Sequence, residues 1–202
     1  MKTKFIIHGG YAGRSNSEND KFYKEILKDV PNSTKILLVY FAKEKDAYQQ
    51  MEKEDTFLFN KNKENKKISF EIATKESFVE QINKSDVIFL HGGKTPKLIN
   101  ILKECPDFRE LIDGKVVAGE SAGAYALSSC YYSKSEKGLF EGLGFVPVKI
   151  ICHYVGENEE KLDECPKKLE RILLKDYQYK VYLLDKFEHR PLVGARISKC
   201  FI

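Results

Sequence analysis

No apolar stretch of this sequence is long enough to span a membrane, and no two cysteines have C-x-x-C spacing. The apolar stretch at residues 5–7 ends at once in His-Gly-Gly, so we expect no signal peptide. The five cysteines are scattered, which favours reduced thiols over a zinc site or a disulfide framework. These features together predict a cytoplasmic protein.

A strong excess of one charge is also missing. The formal net charge is +4 in a chain of which 32% is charged, so both signs are abundant. This balance gives no reason to expect a nucleic-acid partner. Internal repeats, Pro- or Ser-rich linkers and low-complexity segments are absent as well. A length of 202 residues therefore predicts one domain over residues 1–202.

Apolar strands and amphipathic helices alternate over the first two thirds of the chain, a pattern typical of a parallel sheet covered on both faces. We predict an α/β three-layer sandwich with a mostly parallel central sheet, helices on both faces and an antiparallel edge near the C-terminus. The last third is predicted to contain a glycine-rich loop at 131–145, a long helix at 157–174 that Pro166 breaks or kinks, and strands at 180–184 and 191–197.

The strongest local signal follows the short apolar strand at 116–118. The next residues, GESAG, form a G-x-S-x-G motif, and a helix of small residues comes directly after it. In a strand–turn–helix context this motif exposes a nucleophilic serine at the carboxyl end of the strand. The sequence therefore predicts Ser121 as a nucleophile. A helix-capping serine in a tight turn is the alternative.

A serine nucleophile needs a base and donors for the oxyanion. Of the four histidines, His153 is preferred because it ends the first strand after the motif, while His91 is the main rival. His91 directly precedes Gly92 and Gly93, and a glycine pair at a strand end can turn a backbone N–H into the site. One of these glycines and Ala122 are therefore the predicted oxyanion donors.

The base also needs a carboxylate to orient it. Four candidates follow His153 in the sequence: Glu157, Asp163, Asp185 and Glu188. Asp185 and Glu188 follow a predicted core strand and so belong to the correct end of the sheet. Glu136, before the glycine-rich loop, is a further candidate that no local pattern favours, and Glu120 inside the motif has no assigned role.

Four segments resemble the peptidase E/cyanophycinase family of serine peptidases, family S51: residues 5–10, FLHGGKT at 89–95, GESAGA at 119–124, and ICHY at 151–154. The resemblance implies the fold of the class I glutamine amidotransferase-like group and a Ser-His-Glu order along the chain. Aligning the Ala-Leu of the family's acid segment with residues 191–192 assigns the acid to Glu188, with Asp185 still open. The catalytic set is then Ser121, His153 and Glu188.

Two positions depart from the family pattern. His91 replaces the first glycine of a triplet, and Lys94 stands where the family often has asparagine. Known members favour acidic substrates, so the resemblance implies that Lys94 and Thr95 bind substrate. Lys94, Arg14 and Arg190 are the cations available to neutralise a substrate carboxylate; the sequence prefers none of them, and a solvated surface charge is the alternative for each.

The resemblance implies an exopeptidase or dipeptidase that acts on a small peptide, with no metal or organic cofactor and no nucleic-acid or membrane partner. A non-catalytic or regulatory protein of the same fold is one alternative, and an esterase or amidase is another. The oligomeric state is left open, with a homodimer as one option.

Overall fold

The computed structural model describes residues 2–185, and within them ten strands form two sheets. The strands are β1 (Thr3–His8), β2 (Ser33–Val39), β3 (Lys67–Ile72), β4 (Val87–Leu90), β5 (Val116–Glu120), β6 (Ser128–Ser133), β7 (Gly138–Glu141), β8 (Val146–Ile151), β9 (Glu170–Leu173) and β10 (Tyr179–Leu184). The larger sheet has the order β10-β1-β5-β4-β2-β3, and the smaller one has the order β7-β6-β8-β9.

Helices connect the strands. They are α1 (Ser17–Leu27), α2 (Tyr48–Asn62), α3 (Phe78–Asn83), α4 (Thr95–Glu104), α5 (Phe108–Leu111) and α6 (Ala122–Leu127), with 3-10 helices at Lys45–Ala47 and Glu159–Glu164. The helix starts follow ordinary capping chemistry. The Asn16 side chain accepts the Glu18 N–H at the start of α1, and Pro96 lies in the first turn of α4.

The two faces of the larger sheet bury alternate residues of each strand. On β1, for example, Ile6 packs towards α1 and α2, whereas Phe5 and Ile7 pack towards α3–α6 and the smaller sheet. Because both faces are covered, β1, β4 and β5 are buried along their whole length. All neighbours in this sheet are parallel except β10, which pairs antiparallel with β1. The predicted fold class is thus confirmed, including its antiparallel C-terminal edge.

The smaller sheet corrects two predictions for the last third of the chain. Residues 131–145 are not a loop, because β6 and β7 form an antiparallel hairpin there. The sequence of β6, SSCYYS, is rich in residues that favour strands, and Tyr131 stacks on Tyr125 of α6 with ring centroids 4.5 Å apart. The glycines thus accompany strands rather than replace them.

The predicted helix at 157–174 is also wrong. A short 3-10 helix ends at Glu164, and the chain then extends into β9, which pairs parallel with β8. Pro166 lies between the two elements, and a proline cannot supply the N–H that a continuing helix needs. The ERIL sequence of β9 has Ile172 buried in the core shared with the larger sheet.

The expectation that all cysteines are reduced is wrong as well. Cys130 on β6 and Cys165 after the second 3-10 helix form a disulfide, whereas Cys105 and Cys152 are free. The predicted strand at 191–197 lies outside the described residues. Within residues 2–185, no helix has both the length and the apolar character needed to cross a membrane.

Candidate active site

Ser121 lies in a strained turn between β5 and α6, with φ of +49°. Only small residues fit around it. A Cβ on Gly119 would lie 2.5 Å from the carbonyl carbon of Gly123, and one on Gly123 would lie 2.2 Å from the Leu90 oxygen. The Ser121 side chain makes no capping hydrogen bond with α6, which contradicts the alternative of a helix-capping serine.

The hydroxyl of Ser121 instead meets the imidazole of His153. The two atoms, Oγ and Nε2, are 3.0 Å apart. His153 also has a positive φ, +53°, and its N–H donates to the Gly9 oxygen at 2.9 Å. Its ring occupies the space beside Gly10, where an added Cβ would fall 2.0 Å from the ring's Cε1. The end of β1 is therefore shaped to hold this imidazole.

Tyr125 connects the serine's helix to the strand that carries the histidine. Its hydroxyl accepts the Cys152 N–H at 3.0 Å and lies 3.4 Å from the Cys152 oxygen. Cys152 directly precedes His153, so the backbone of the base is fixed relative to α6. Burial raises the pKa of the Cys152 thiol well above its usual range, which keeps this nearby sulfur uncharged.

The second nitrogen of His153 contacts a carboxylate that our sequence interpretation missed. Nδ1 lies 2.6 Å from Oδ1 of Asp176, in the turn between β9 and β10. That turn is anchored to the same glycine that supports the imidazole, because the Tyr177 N–H donates to the Gly10 oxygen. Asp176 thus lies where a carboxylate would fix the ring's tautomer.

The predicted acids lie elsewhere or outside the described residues. Glu188 lies outside the described residues, and so does Arg190, one of the cations considered for substrate binding. Asp185 is 80% exposed at its side chain and pairs with Lys2. Glu157 pairs with Lys134, and Asp163 pairs with Arg171.

Asp176 was missed because the wrong helix at 157–174 hid β9. Read as a strand, the apolar run at 172–174 would have placed the next acidic residue at a strand's carboxyl end, where sites form in α/β sheets.

The glycine pair after β4 packs beside the serine. A Cβ on Gly92 would lie 3.3 Å from Ser121 Cβ. The Gly92 N–H, however, donates to Oε2 of Glu120 at 3.1 Å. The Gly93 N–H donates to no acceptor within residues 2–185, and the Ala122 N–H, at the start of α6, has no acceptor within its helix. Of the three predicted oxyanion donors, Gly93 and Ala122 are therefore the ones left available.

His91 points into the interior rather than towards the mouth of the site. It is 6% exposed and packs edge-on against Tyr40, with ring centroids 5.5 Å apart. Its Nε2 lies 3.9 Å from Oδ2 of Asp55, which also accepts the Tyr40 hydroxyl at 2.9 Å. Burial raises the pKa of Asp55 to about 6. The rival base is thus engaged away from Ser121.

His8 is a second buried imidazole near the site. Its Nε2 lies 3.0 Å from Oδ1 of Asn19, and its Nδ1 accepts the Gly10 N–H at 3.1 Å. Burial lowers the pKa of His8 to about 4, so it is neutral at pH 7. A neutral ring suits both contacts, because one nitrogen donates while the other accepts.

Of the predicted substrate-binding residues, Lys94 is exposed and its Nζ lies 3.3 Å from a Glu44 oxygen. Thr95 is buried at the start of α4. A different cation lies nearer the triad: the Arg14 guanidinium sits 3.6 Å from the centre of the Tyr11 ring. That ring in turn meets the His153 ring edge-on, with centroids 5.1 Å apart.

This arrangement contains a half-buried serine hydroxyl, an imidazole to accept its proton and a carboxylate behind the imidazole. Side chains ordered in this way perform nucleophilic acyl transfer. Among residues 2–185 no cluster of histidine, cysteine and acidic side chains could hold a metal ion. The geometry therefore indicates a serine-based site.

Comparison with known proteins agrees with this interpretation. The model of peptidase family S51 matches residues 5–186. A putative peptidase E protein from Listeria monocytogenes EGD-e superposes with a TM-score of 0.63 at 15% identity, over 92% of this chain and 99% of that one. A peptidase from an acI-B1 Actinobacterium gives a TM-score of 0.62 at 19% identity, over 90% and 84% of the two chains. No curated protein sequence matches the chain. The two structures show a shared fold.

Proposed function

Since the chain belongs to peptidase family S51, a family of serine peptidases, we propose that it cleaves small peptides through an acyl-enzyme formed on Ser121. The observation that carries this proposal is the unbroken chain of contacts from Ser121 Oγ to His153 Nε2 at 3.0 Å and from His153 Nδ1 to Asp176 at 2.6 Å. We assign Asp176, rather than Glu188, as the acid on this geometry.

In the first half of the reaction, Ser121 Oγ attacks the scissile carbonyl carbon while His153 Nε2 takes its proton. The carbonyl oxygen becomes an oxyanion, which the N–H groups of Gly93 and Ala122 stabilise. Asp176 keeps the Nδ1 proton in place and stabilises the imidazolium. His153 then gives its proton to the leaving amine, and the C–N bond breaks.

In the second half, water attacks the acyl-enzyme ester with His153 again accepting the proton. Collapse of the second tetrahedral intermediate releases the carboxylic acid and returns the hydrogen to Ser121. All of these proton transfers use the same imidazole, which explains why its position is fixed by Gly9, Gly10 and Asp176.

Arg14 supports an acidic substrate. Its guanidinium is exposed, stacked on Tyr11 and one aromatic ring away from His153. A guanidinium binds carboxylates with paired hydrogen bonds, and stacking holds its plane in place. We assign substrate-carboxylate binding to Arg14, whereas Lys94 is already paired with Glu44. The assembly as a homodimer and the cytoplasmic location stay predictions.

The test is hydrolysis of an aspartyl dipeptide, its asparaginyl counterpart and a simple aryl ester by wild type and Ser121→Ala. Removing the nucleophile should lower turnover by about 10³-fold or more and abolish labelling by a fluorophosphonate probe. A preference for the aspartyl dipeptide would support the acidic substrate, while a preference for the aryl ester would favour an esterase. Undiminished turnover by Ser121→Ala would refute the mechanism.

A further inference from the structure

The glycine pair beside Ser121 is held by two buried, ionisable side chains that the triad does not use. Glu120 directly precedes the serine, and His91 directly precedes the glycines. Both are about 6% exposed, so neither is placed to meet solvent or a large substrate. Both contact backbone groups of the glycine pair, which points to a role in shaping the site.

The carboxylate of Glu120 joins the ends of three neighbouring strands. It sits at the end of β5, where its Oε2 accepts the Gly92 N–H after β4 at 3.1 Å and its Oε1 accepts the Ala12 N–H after β1 at 3.3 Å. Two accepting oxygens match two donating N–H groups. Burial alone would raise the pKa of Glu120, but His91, His8 and these two N–H groups lower it overall, so the side chain is ionised.

His91 holds the other side of the same segment. Its Nδ1 lies 3.1 Å from the Gly92 oxygen. A carbonyl oxygen can only accept, so Nδ1 carries the proton in this contact. The same nitrogen is 3.6 Å from Glu120 Oε2, and Nε2 faces Asp55 on α2 at 3.9 Å. The imidazole is thus fixed between two carboxylates.

The His91 contact with the Gly92 oxygen determines where the Gly93 N–H points, while the Glu120 contact with the Gly92 N–H fixes the preceding peptide unit. The Gly92 oxygen and the Gly93 N–H belong to one planar trans peptide unit, in which they point in opposite directions. A contact that fixes the oxygen on the interior side therefore directs the N–H to the other side. Gly93 has a φ of +149°, a conformation that glycine adopts at no steric cost, so side-chain contacts rather than steric limits at Gly93 select the orientation of this peptide.

We propose that Glu120 and His91 are positioning residues that orient the Gly92–Gly93 peptide so that the Gly93 N–H serves as an oxyanion donor. The inference rests on the proposed function, because an oxyanion forms only if Ser121 attacks a carbonyl. It also gives a role to the histidine at the position where related sequences carry glycine. Without the contacts of Glu120 and His91, the Gly93 N–H would still be present but would not point at the oxyanion.

The experiment compares an ester substrate with its thionoester, whose sulfur accepts hydrogen bonds poorly, in wild type and variants. Glu120→Gln keeps the shape but offers one accepting oxygen in place of two, so one N–H loses its acceptor. We expect kcat on the ester to fall about 10- to 100-fold, with KM within about threefold, because one donor is misplaced rather than removed. The thionoester rate should fall much less, so the ester-to-thionoester rate ratio should drop.

His91 is tested by a pair of variants. His91→Ala removes the hydrogen bond to the Gly92 oxygen and should lower the ratio as Glu120→Gln does. His91→Asn places an amide NH₂ close to the position of Nδ1 and should restore most of the ratio. Asp86→Asn is the matched control, because Asp86 Oδ2 likewise accepts a neighbouring strand's N–H, that of Lys35 at 2.8 Å, but before β4 instead of after it. Its ratio should match wild type.

The outcomes separate the two hypotheses. If Ser121→Ala keeps its turnover, the proposed function is wrong and no oxyanion is formed. If Ser121→Ala is inactive but Glu120→Gln and His91→Ala lower the ester and thionoester rates equally, the positioning role alone is refuted. Unfolding of Glu120→Gln and both His91 variants at the assay temperature would also refute it, since these side chains would then support the fold rather than the donor.

Discussion

At the scale of single residues, the site depends on two side chains held on strained backbone. Ser121 and His153 both have positive φ, a conformation that costs an ordinary residue about 1–2 kcal/mol. Each is fixed by its own N–H, which donates to the His8 oxygen in one case and to the Gly9 oxygen in the other. The last residue of β1 and the residue after it thus set the distance between nucleophile and base.

Replacing the carboxylate behind His153 tests the assignment of the acid. Asp176→Asn keeps an oxygen for the Nδ1 proton but loses the charge that stabilises the imidazolium. We expect kcat to fall by about 10²- to 10⁴-fold, and steady-state kinetics on the aspartyl dipeptide would measure it. Asp163→Asn is the control, because it is the same exchange at a carboxylate that pairs with Arg171 instead.

The same assay decides the competing assignment. Glu188 is the acid that the family resemblance implies, and it lies outside the described residues. A large loss in Glu188→Gln together with a small loss in Asp176→Asn would contradict the role of Asp176 and favour Glu188. Equal and small losses in both would mean that His153 works without a carboxylate partner.

At the scale of elements, local sequence signals predict the larger sheet well and the smaller sheet poorly. The inner strands of the larger sheet contain apolar runs, β3 alternates apolar and polar residues, and G-x-S-x-G marks the strand–helix turn, so these features can be read from the sequence. β9 has only four residues, ERIL, with charged and apolar neighbours, and the surrounding lysines and glutamates imitate a helix. Its strand conformation comes from pairing with β8, which is a tertiary contact.

The residues of the candidate site likewise fall into those that the sequence predicts and those that it does not. Ser121 and His153 could be predicted because each follows an apolar strand that the sequence displays. Asp176 could not be predicted by the same rule, because its position depends on β9. Glu120 was left without a role because its partners, Gly92 and Ala12, come from other strands and appear only when β1, β5 and β4 are placed side by side.

The disulfide between β6 and the second 3-10 helix is expected to stabilise the smaller sheet. Cys130 and Cys165 are 35 residues apart, and closing a loop of that length removes unfolded-state entropy worth about 3–4 kcal/mol at 25 °C. Urea unfolding of oxidised and reduced wild type should therefore show a lower midpoint after reduction. A Cys130→Ser/Cys165→Ser double variant should not respond to reductant. Equal midpoints for oxidised and reduced wild type would contradict the expectation.

At the scale of the whole molecule, the carboxyl ends of strands from both sheets converge on the site. In the larger sheet, Gly9 follows β1, Gly92 follows β4 and Glu120 ends β5. In the smaller sheet, His153 follows β8 and Asp176 follows β9. A direct hydrogen bond joins the two sheets there, from the His153 N–H after β8 to the Gly9 oxygen after β1. The site is therefore complete only when the two sheets are packed against each other.

Buried ionisable groups near this junction make the stability of the whole molecule depend on pH in opposing directions. Burial lowers the pKa of His8 to about 4, so its contribution to stability is present above about pH 6.5 and is lost as the pH falls towards 4. Burial raises the pKa of Asp55 to about 6, so its contribution is present below about pH 4 and is lost as the pH rises through 6. Between about pH 4 and 6 the two slopes oppose each other.

Asp55→Asn should remove the loss of stability that Asp55 causes as the pH rises, and leave the opposite pH dependence that His8 causes. Asparagine does not titrate, so the variant no longer loses stability as the pH rises from about 4 to 6, whereas wild type does. The unfolding free energy of the variant minus that of wild type should then increase by up to about 3 kcal/mol over this range, since each pH unit is worth about 1.4 kcal/mol per proton.

Urea unfolding at several pH values would measure this difference. The control is the same exchange at the exposed Asp46, whose stability curve should run parallel to that of wild type. Parallel curves for Asp55→Asn and wild type would mean that the buried carboxyl binds no extra proton on folding. The Tyr40 hydroxyl would then donate its hydrogen bond to an ionised Asp55 throughout this range.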